Sequence, residues 1–163
     1  CEGLVGSEMC IRDRFIINQM NKALDKGAKK MIDENKFHFP KEHKNYLVPQ
    51  VLTNVSHEMD FMTEETFGPC VGIMRVSNEN EAVKLMNDSP YGLTASIWTN
   101  DIGVAEKIGN QVQTGTFFMN RCDYLDPALS WTGVKETGKG CSLSEIAYEK
   151  LTAPKSFHLR KGQ

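Results

Sequence analysis

The sequence predicts an α/β fold. Three observations carry that expectation. From Val71 onward, apolar runs of strand length alternate with stretches of helical period. The helical stretches open on residues that can cap a helix, Asn78 and Asn100 or Asp101. The connections between elements are short, and strand-helix-strand-helix-strand in that order is what a parallel sheet with right-handed crossovers needs.

The elements follow in chain order. Phe15, Ile16, Met20, Ala23 and Leu24 recur at helical spacing, while Lys22, Asp25, Lys26, Lys29 and Lys30 keep the opposite face polar. Gly27 and the lysine pair predict that this helix frays out there. A loop through Phe37-His38-Phe39-Pro40 leads to Tyr46-Leu47-Val48-Pro49-Gln50-Val51-Leu52. That run is strand-like, but Pro49 has no N–H to donate, which predicts an edge or irregular strand. Val71 to Val76 reads as a buried strand. Asn78 with Glu81 forms a capping-box pattern ahead of Ala82, Val83, Leu85 and Met86. Ser89-Pro90-Tyr91-Gly92 is a turn. Leu93 to Thr99 is the next strand, a helix through Val104, Ala105, Ile108 and Val112 follows, and Thr114 to Asn120 is the third strand.

Residues 120–140 have no secondary-structure period and are dense in Gly, Pro, Asp and aromatics. An irregular loop of that length in a compact domain is functional or disordered, and Tyr124, Leu125 and Trp131 are too apolar for disorder. They are expected to line a pocket or an interface. Ser142-Leu143-Ser144-Glu145 reads as a second capping box, opening a helix through Ile146, Ala147, Tyr148 and Leu151 that Pro154 ends. Lys155 to Arg160 alternates polar and apolar, the pattern of a half-buried strand that pairs with a partner.

Bulk properties narrow the class. At 163 residues the chain fits the length of one domain. Forty per cent hydrophobic and 25% charged is ordinary globular composition. A formal charge of −2 gives no electrostatic case for nucleic acid or an anionic membrane, and no apolar run reaches the length of a membrane span. The five cysteines, Cys1, Cys10, Cys70, Cys122 and Cys141, are odd in number and scattered, with no CxxC. With His38, His43, His57 and His158 they form no metal-ligand spacing, so no metal is expected. Reduced thiols in a cytoplasmic protein are the economical expectation.

The stretch richest in chemistry is Glu64-Glu65-Thr66-Phe67-Gly68-Pro69. A carboxylate can accept hydrogen bonds from two vicinal hydroxyls, and a flat ring can pack on a heterocycle, so the pair suits a ribose and its base. The alternative is a solvated carboxylate pair beside a Phe that plugs the core. This hexapeptide resembles a signature of the aldehyde dehydrogenase superfamily, and four further stretches resemble that family in its own order. They are Pro49-Gln50-Val51-Leu52, Asn87 to Ala95 with its Tyr91-Gly92-Leu93, Gly115-Thr116 with Asn120, and Gly133-Val134-Lys135-Glu136-Thr137-Gly138-Lys139-Gly140. The resemblance runs from about Phe15 to Lys161.

That resemblance implies part of a catalytic domain built on a parallel sheet in three layers, followed by a C-terminal strand that pairs with a second subunit in a homo-oligomer. It implies an NAD- or NADP-dependent oxidation of a small-molecule aldehyde to a carboxylic acid, through a cysteine nucleophile and a water-activating glutamate. Glu65 matches the residue that holds the nicotinamide-ribose hydroxyls, and Phe67 the one that packs on the nicotinamide. Leu125 and Trp131 fall where the family builds its substrate entrance, with core or interface packing as the alternative. Ser130 and Thr132 stand where the family commonly has Pro and Gly.

The family's nucleophile in Gly-Gln-x-Cys, its general-base glutamate and its Gly-rich phosphate loop have no match here, so no residue of this chain is expected to be catalytic. Neither Cys1 nor Cys10 follows Gly-Gln, and Cys70, Cys122 and Cys141 match positions without a catalytic role. Residues 1–14 do not resemble the family, and Ser7 to Arg14 resembles translated sequencing-adapter DNA. The expectation is a fragment: an extraneous leader over 1–14, a partial catalytic domain over 15–140, and a terminal helix and oligomerisation strand over 141–163. Alone, such a chain should not turn over substrate. The competing expectations are a piece of an acylating or acyl-phosphate-reducing relative, and a short non-catalytic protein that binds a nucleotide or a subunit.

Overall fold

The computed structural model describes residues 4–38, 46–122 and 124–162, with side chains from residue 12 onward. Phe39 and Pro40 of the expected loop lie outside the described residues. The chain divides into two compact units, Cys1–Asn78 and Glu79–Gln163.

In the first unit, α1 (Leu4–Asp25) runs unbroken across the expected boundary between Arg14 and Phe15. Its buried residues Ile16, Met20 and Ala23 recur every three or four positions, and they pack with Leu52, Val55, Met59 and Phe61. The helix does not fray as expected; it is capped. Ala28 N–H donates to the Ala23 carbonyl at 3.0 Å and Gly27 N–H to that of Leu24 at 2.9 Å, with Gly27 at φ 99°. This is the double-bonded helix end that a left-handed glycine permits, and Ala23 and Ala28 supply its apolar contact.

After α1 come β1 (Lys29–Lys30), a 3-10 turn (Glu34–Lys36) capped by Asp33, β2 (Gln50–Thr53), the single turn α2 (Asp60–Thr63) and β3 (Cys70–Gly72). The β2 strand is central, antiparallel to β1 and parallel to β3, with Gln50 opposite Cys70 and Leu52 opposite Gly72. The edge placement expected from Pro49 is therefore corrected. The ladder starts one residue later, so the missing N–H falls outside it, and Gln50 N–H donates to the Pro69 carbonyl at 2.9 Å. Asn54, at φ 57°, ends β2.

One buried polar side chain organises this unit. Gln50 is 2% exposed. Its Oε1 accepts from the N–H groups of Ile32 at 2.9 Å, Val51 at 3.1 Å and Met31 at 3.2 Å. Its Nε2 donates to the Ile32 carbonyl at 3.1 Å and approaches Glu34 Oε1 at 3.5 Å. Glu34 also accepts from Lys30 Nζ, and that hydrogen bond holds its carboxyl below the usual range.

The second unit contains the expected strand-helix-strand repeat. The α3 helix (Glu79–Asn87) begins one residue after Asn78 and buries Val83. Then follow β4 (Tyr91–Gly92), β5 (Thr94–Ile97), α4 (Ile102–Gly109) and β6 (Thr116–Met119). Asp101 is the α4 cap, its carboxylate accepting from Val104 N–H at 3.0 Å. The β5 and β6 strands pair in parallel from Thr94 opposite Thr116 to Ile97 opposite Met119. Around them Val83, Ile108 and Val112 form the core. Val112 is reached by a turn, because α4 stops at Gly109 rather than running on as expected.

A single parallel sheet is not what the described residues form. They hold three small sheets: β1-β2-β3, β5-β6, and β4 paired antiparallel with β7 (Val134–Lys135). The strands are shorter than the apolar runs implied, as where Asn120 at φ 55° ends β6. The last helix, α5 (Ser144–Leu151), lacks the expected capping box. Ser142 is committed elsewhere, exchanging backbone hydrogen bonds of 2.7 and 2.9 Å with Trp131. Residues 152–162 form no strand, and Phe157 and Leu159 are exposed.

Gln50→Leu fills the same volume but leaves the Ile32 N–H and carbonyl unpaired in the interior. It is expected to lower unfolding stability by roughly 2–4 kcal/mol, read as a shift of the denaturant midpoint. Lys135 Nζ donates to the carbonyls of Asn87 at 2.8 Å and Ser89 at 2.9 Å, a cation on the C-terminal end of α3. Lys135→Met is expected to cost about 1–2 kcal/mol, seen as a lowered melting temperature.

Candidate functional site

The loop after α2 is shaped by short-range chemistry. Glu64 N–H closes α2 by donating to the Asp60 carbonyl at 2.8 Å, and the Glu64 side chain turns back to accept from Gln19 Nε2 at 3.4 Å. Glu65 then points outward, exposed, and its carboxylate meets no partner among the described residues. Phe67 takes a left-handed backbone, φ 46°, which costs a bulky residue on the order of 1–3 kcal/mol. That conformation leaves its ring 72% exposed. An apolar ring held outward at a cost in strain is a feature that core packing does not explain.

The next two residues return the chain to the sheet. A Cβ on Gly68 would overlap Ile16 Cδ1, so glycine lets the backbone lie close on α1 without displacing that side chain. Cys70 N–H donates to the Gly68 carbonyl at 2.8 Å across Pro69, a tight turn that delivers Cys70 opposite Gln50. Glu65 and Phe67 are thus two residues apart on one exposed loop, and Glu64 is a structural neighbour. A carboxylate beside an exposed ring suits a polyol joined to a flat heterocycle. The Arg12 guanidinium lies 5.9 Å from the centre of the Phe67 ring.

Leu125 and Trp131 belong to the other unit. Asn120 starts their loop by pairing its side-chain amide with both backbone groups of Thr99, at 2.9 and 2.7 Å. Arg121 then stacks over Tyr124 with 3.8 Å to the ring centre. Leu125 is 56% exposed, whereas Trp131 is half-buried and fixed by its bridge to Ser142. Trp131 lines a groove with Leu93, Thr137, Lys139, Cys141 and Lys150. A neighbouring groove runs between Pro127–Ser130 and α5, and Leu125 lines neither. Neither of these two grooves holds both entrance candidates.

Most of the motif residues around them are structural. Asn87 donates to the Gln111 carbonyl at 2.8 Å and accepts from Gln113 N–H at 2.7 Å. Thr137 Oγ1 accepts from Gly92 N–H at 2.7 Å, and a Cβ on Gly115 would overlap the Thr132 carbonyl. Sequence reasoning read these residues only as a resemblance, and it missed Gln19, Gln50 and Lys135 as connectors. The one available signal was a polar residue at an inward strand position, Gln50.

Among the described residues no cysteine stands out as a nucleophile. Burial pushes the Cys70 thiol up, away from thiolate character. Cys122 is exposed and Cys141 half-buried, while Cys1 and the Cys10 side chain lie outside the described residues. Among the described residues no group of three or more His, Cys, Asp and Glu is placed to hold a metal ion, and no helix is long and apolar enough to cross a membrane. With a maleimide at neutral pH, Cys122 is expected to label well before Cys70, as read by peptide mass spectrometry.

Comparison with known proteins gives these features a family. The chain matches the aldehyde dehydrogenase family over residues 12–157. An aldehyde dehydrogenase of Emericella nidulans is 33% identical over 117 residues, 72% of this chain and 24% of that protein. A succinate-semialdehyde dehydrogenase (NADP+) of Deinococcus radiodurans is 33% identical over 153 residues, 94% of this chain and 31% of that protein. The chain therefore spans less than a third of the length of these relatives. Among solved structures, Mycobacterium tuberculosis aldehyde dehydrogenase complexed with NAD+ is similar with a TM-score of 0.80 at 30% identity, over 93% of this chain and 31% of that one. Betaine aldehyde dehydrogenase from Staphylococcus aureus in complex with NAD+ gives 0.74 at 29% identity, over 85% and 28%. With a family match over most of its length, the chain belongs to the aldehyde dehydrogenase family.

Proposed function

We propose that this chain is the C-terminal portion of an NAD- or NADP-dependent aldehyde dehydrogenase that oxidises a small-molecule aldehyde to a carboxylic acid. The observation that carries the reading is the Phe67 ring, held outward at φ 46° beside the unpartnered Glu65 carboxylate. In this reading Glu65 accepts hydrogen bonds from the hydroxyls of the nicotinamide ribose, and Phe67 packs on the nicotinamide ring. The bound dinucleotide supplies the hydride acceptor. The nucleophile that forms the covalent intermediate, and the glutamate that activates water, belong to the part of the protein upstream of this chain. The chain alone is inactive.

The remaining assignments have the same standing. Residues 1–14 are an extraneous leader, 15–140 a partial catalytic domain within a three-layer parallel sheet, and 141–163 the helix and strand that join a second subunit. Residues 152–162, which form no strand among the described residues and carry exposed Phe157 and Leu159, suit a strand completed by a partner in a homo-oligomer. Val71 and Ile73, both 55% exposed, suit a sheet that other parts of the enzyme cover. Leu125 and Trp131 shape the aldehyde entrance. The enzyme works in the cytoplasm.

In the longer enzyme, Glu65→Gln weakens one charged acceptor. It is expected to lower kcat/KM for the nicotinamide cofactor by about tenfold or more while leaving the KM for aldehyde within about twofold. Equal loss for both substrates, or none for the cofactor, would remove Glu65 from the cofactor site.

A further inference from the structure

We propose that Gln19 is the positioning residue for the Glu64–Phe67 loop, acting from a face of α1 that serves as the loop's platform. Ile16 and Gln19 are three residues apart, so they share one helical face. Each meets a different point of the loop. Ile16 fills the space beside Gly68, and Gln19 Nε2 donates to Glu64 Oε2 at 3.4 Å. Glu64 and Gly68 flank the exposed residues, so the two anchors on α1 set the direction of Glu65 and Phe67 between them.

The choice of glutamine points beyond packing. Gln19 is 3% exposed, and its Oε1 is buried with no hydrogen-bond partner. A buried amide left half-satisfied costs more than an apolar side chain of the same size. Stability alone would favour Met or Leu at this position. What glutamine adds is the bond to Glu64, one residue before Glu65. The consequence for ligand binding rests on the proposed cofactor role of Glu65 and Phe67; the positioning itself does not.

The test uses Gln19→Met in the 163-residue chain, with nicotinamide mononucleotide as probe. Amide exchange is followed by NMR, alongside the denaturant midpoint. The expected result is an unchanged or raised midpoint, exchange at Glu65, Thr66 and Phe67 faster by about tenfold, and nucleotide affinity weaker by about fivefold. Glu64→Ala should loosen the same amides, and the double variant should add nothing further. Unchanged loop exchange, or single effects that add, overturns the proposal. A lowered midpoint with exchange rising equally across α1, β2 and β3 also overturns it, because that is a packing role. If the loop loosens as expected while the unsubstituted chain does not bind the nucleotide, positioning stands and the cofactor reading falls.

Discussion

The first unit depends on the hydrogen bonds of one buried amide. Gln50 lies in the central strand, where its backbone N–H reaches Pro69 and its side chain reaches Met31 and Ile32. A single residue thereby fixes the chain leaving β1 on one side and the chain entering β3 on the other. Because β3 starts in register with Gln50, the two residues before it, Gly68 and Pro69, have no freedom to shift. The outward ring of Phe67 follows from that constraint. A local strain of this kind persists only where the surroundings over-determine the backbone, and the Gln50 network with the Ile16 contact does so.

The second unit solves a comparable problem with short polar clamps. Asn87, at the end of α3, holds the turn that follows α4, and Lys135 holds the carbonyls that end α3. Glycines at 92 and 115 let the backbone approach neighbours where any side chain would collide. The strap from Asn120 to Ser142 is tied at its start to Thr99, and within it Trp131 pairs with Ser142. Between these ties it displays Tyr124, Leu125 and Leu129 to solvent. An irregular segment held by such local ties is a means of presenting side chains without regular secondary structure.

Where local chemistry decides, the sequence was legible. Asp101 caps α4 because its carboxylate needs only the N–H three residues on, and the β5-α4-β6 repeat follows from periodicity and short connections. Where distant partners decide, it was not. The Ser142–Glu145 pattern forms no cap because Ser142 is paired with Trp131, eleven residues back, and nothing local signals that competition. The two-residue β7 is too short to carry a period. Gln50 looks like any polar residue in a strand until its five partners are known. The Glu64–Pro69 loop was legible as a pattern of residue types, but the left-handed backbone of Phe67 and the loop's contacts with α1 were not, because they depend on residues far away in sequence.

The central claim is that these residues serve an aldehyde dehydrogenase whose nucleophile lies upstream of them. A long genomic read across the codons for Arg14 and Phe15 tests it most directly. The account predicts an open frame running upstream of Phe15 into a Gly-Gln-x-Cys nucleophile, a general-base glutamate and a Gly-rich nucleotide loop. A start codon with its ribosome site immediately before Phe15 would contradict it, and would make this chain a binding or assembly protein built on an enzyme's fold.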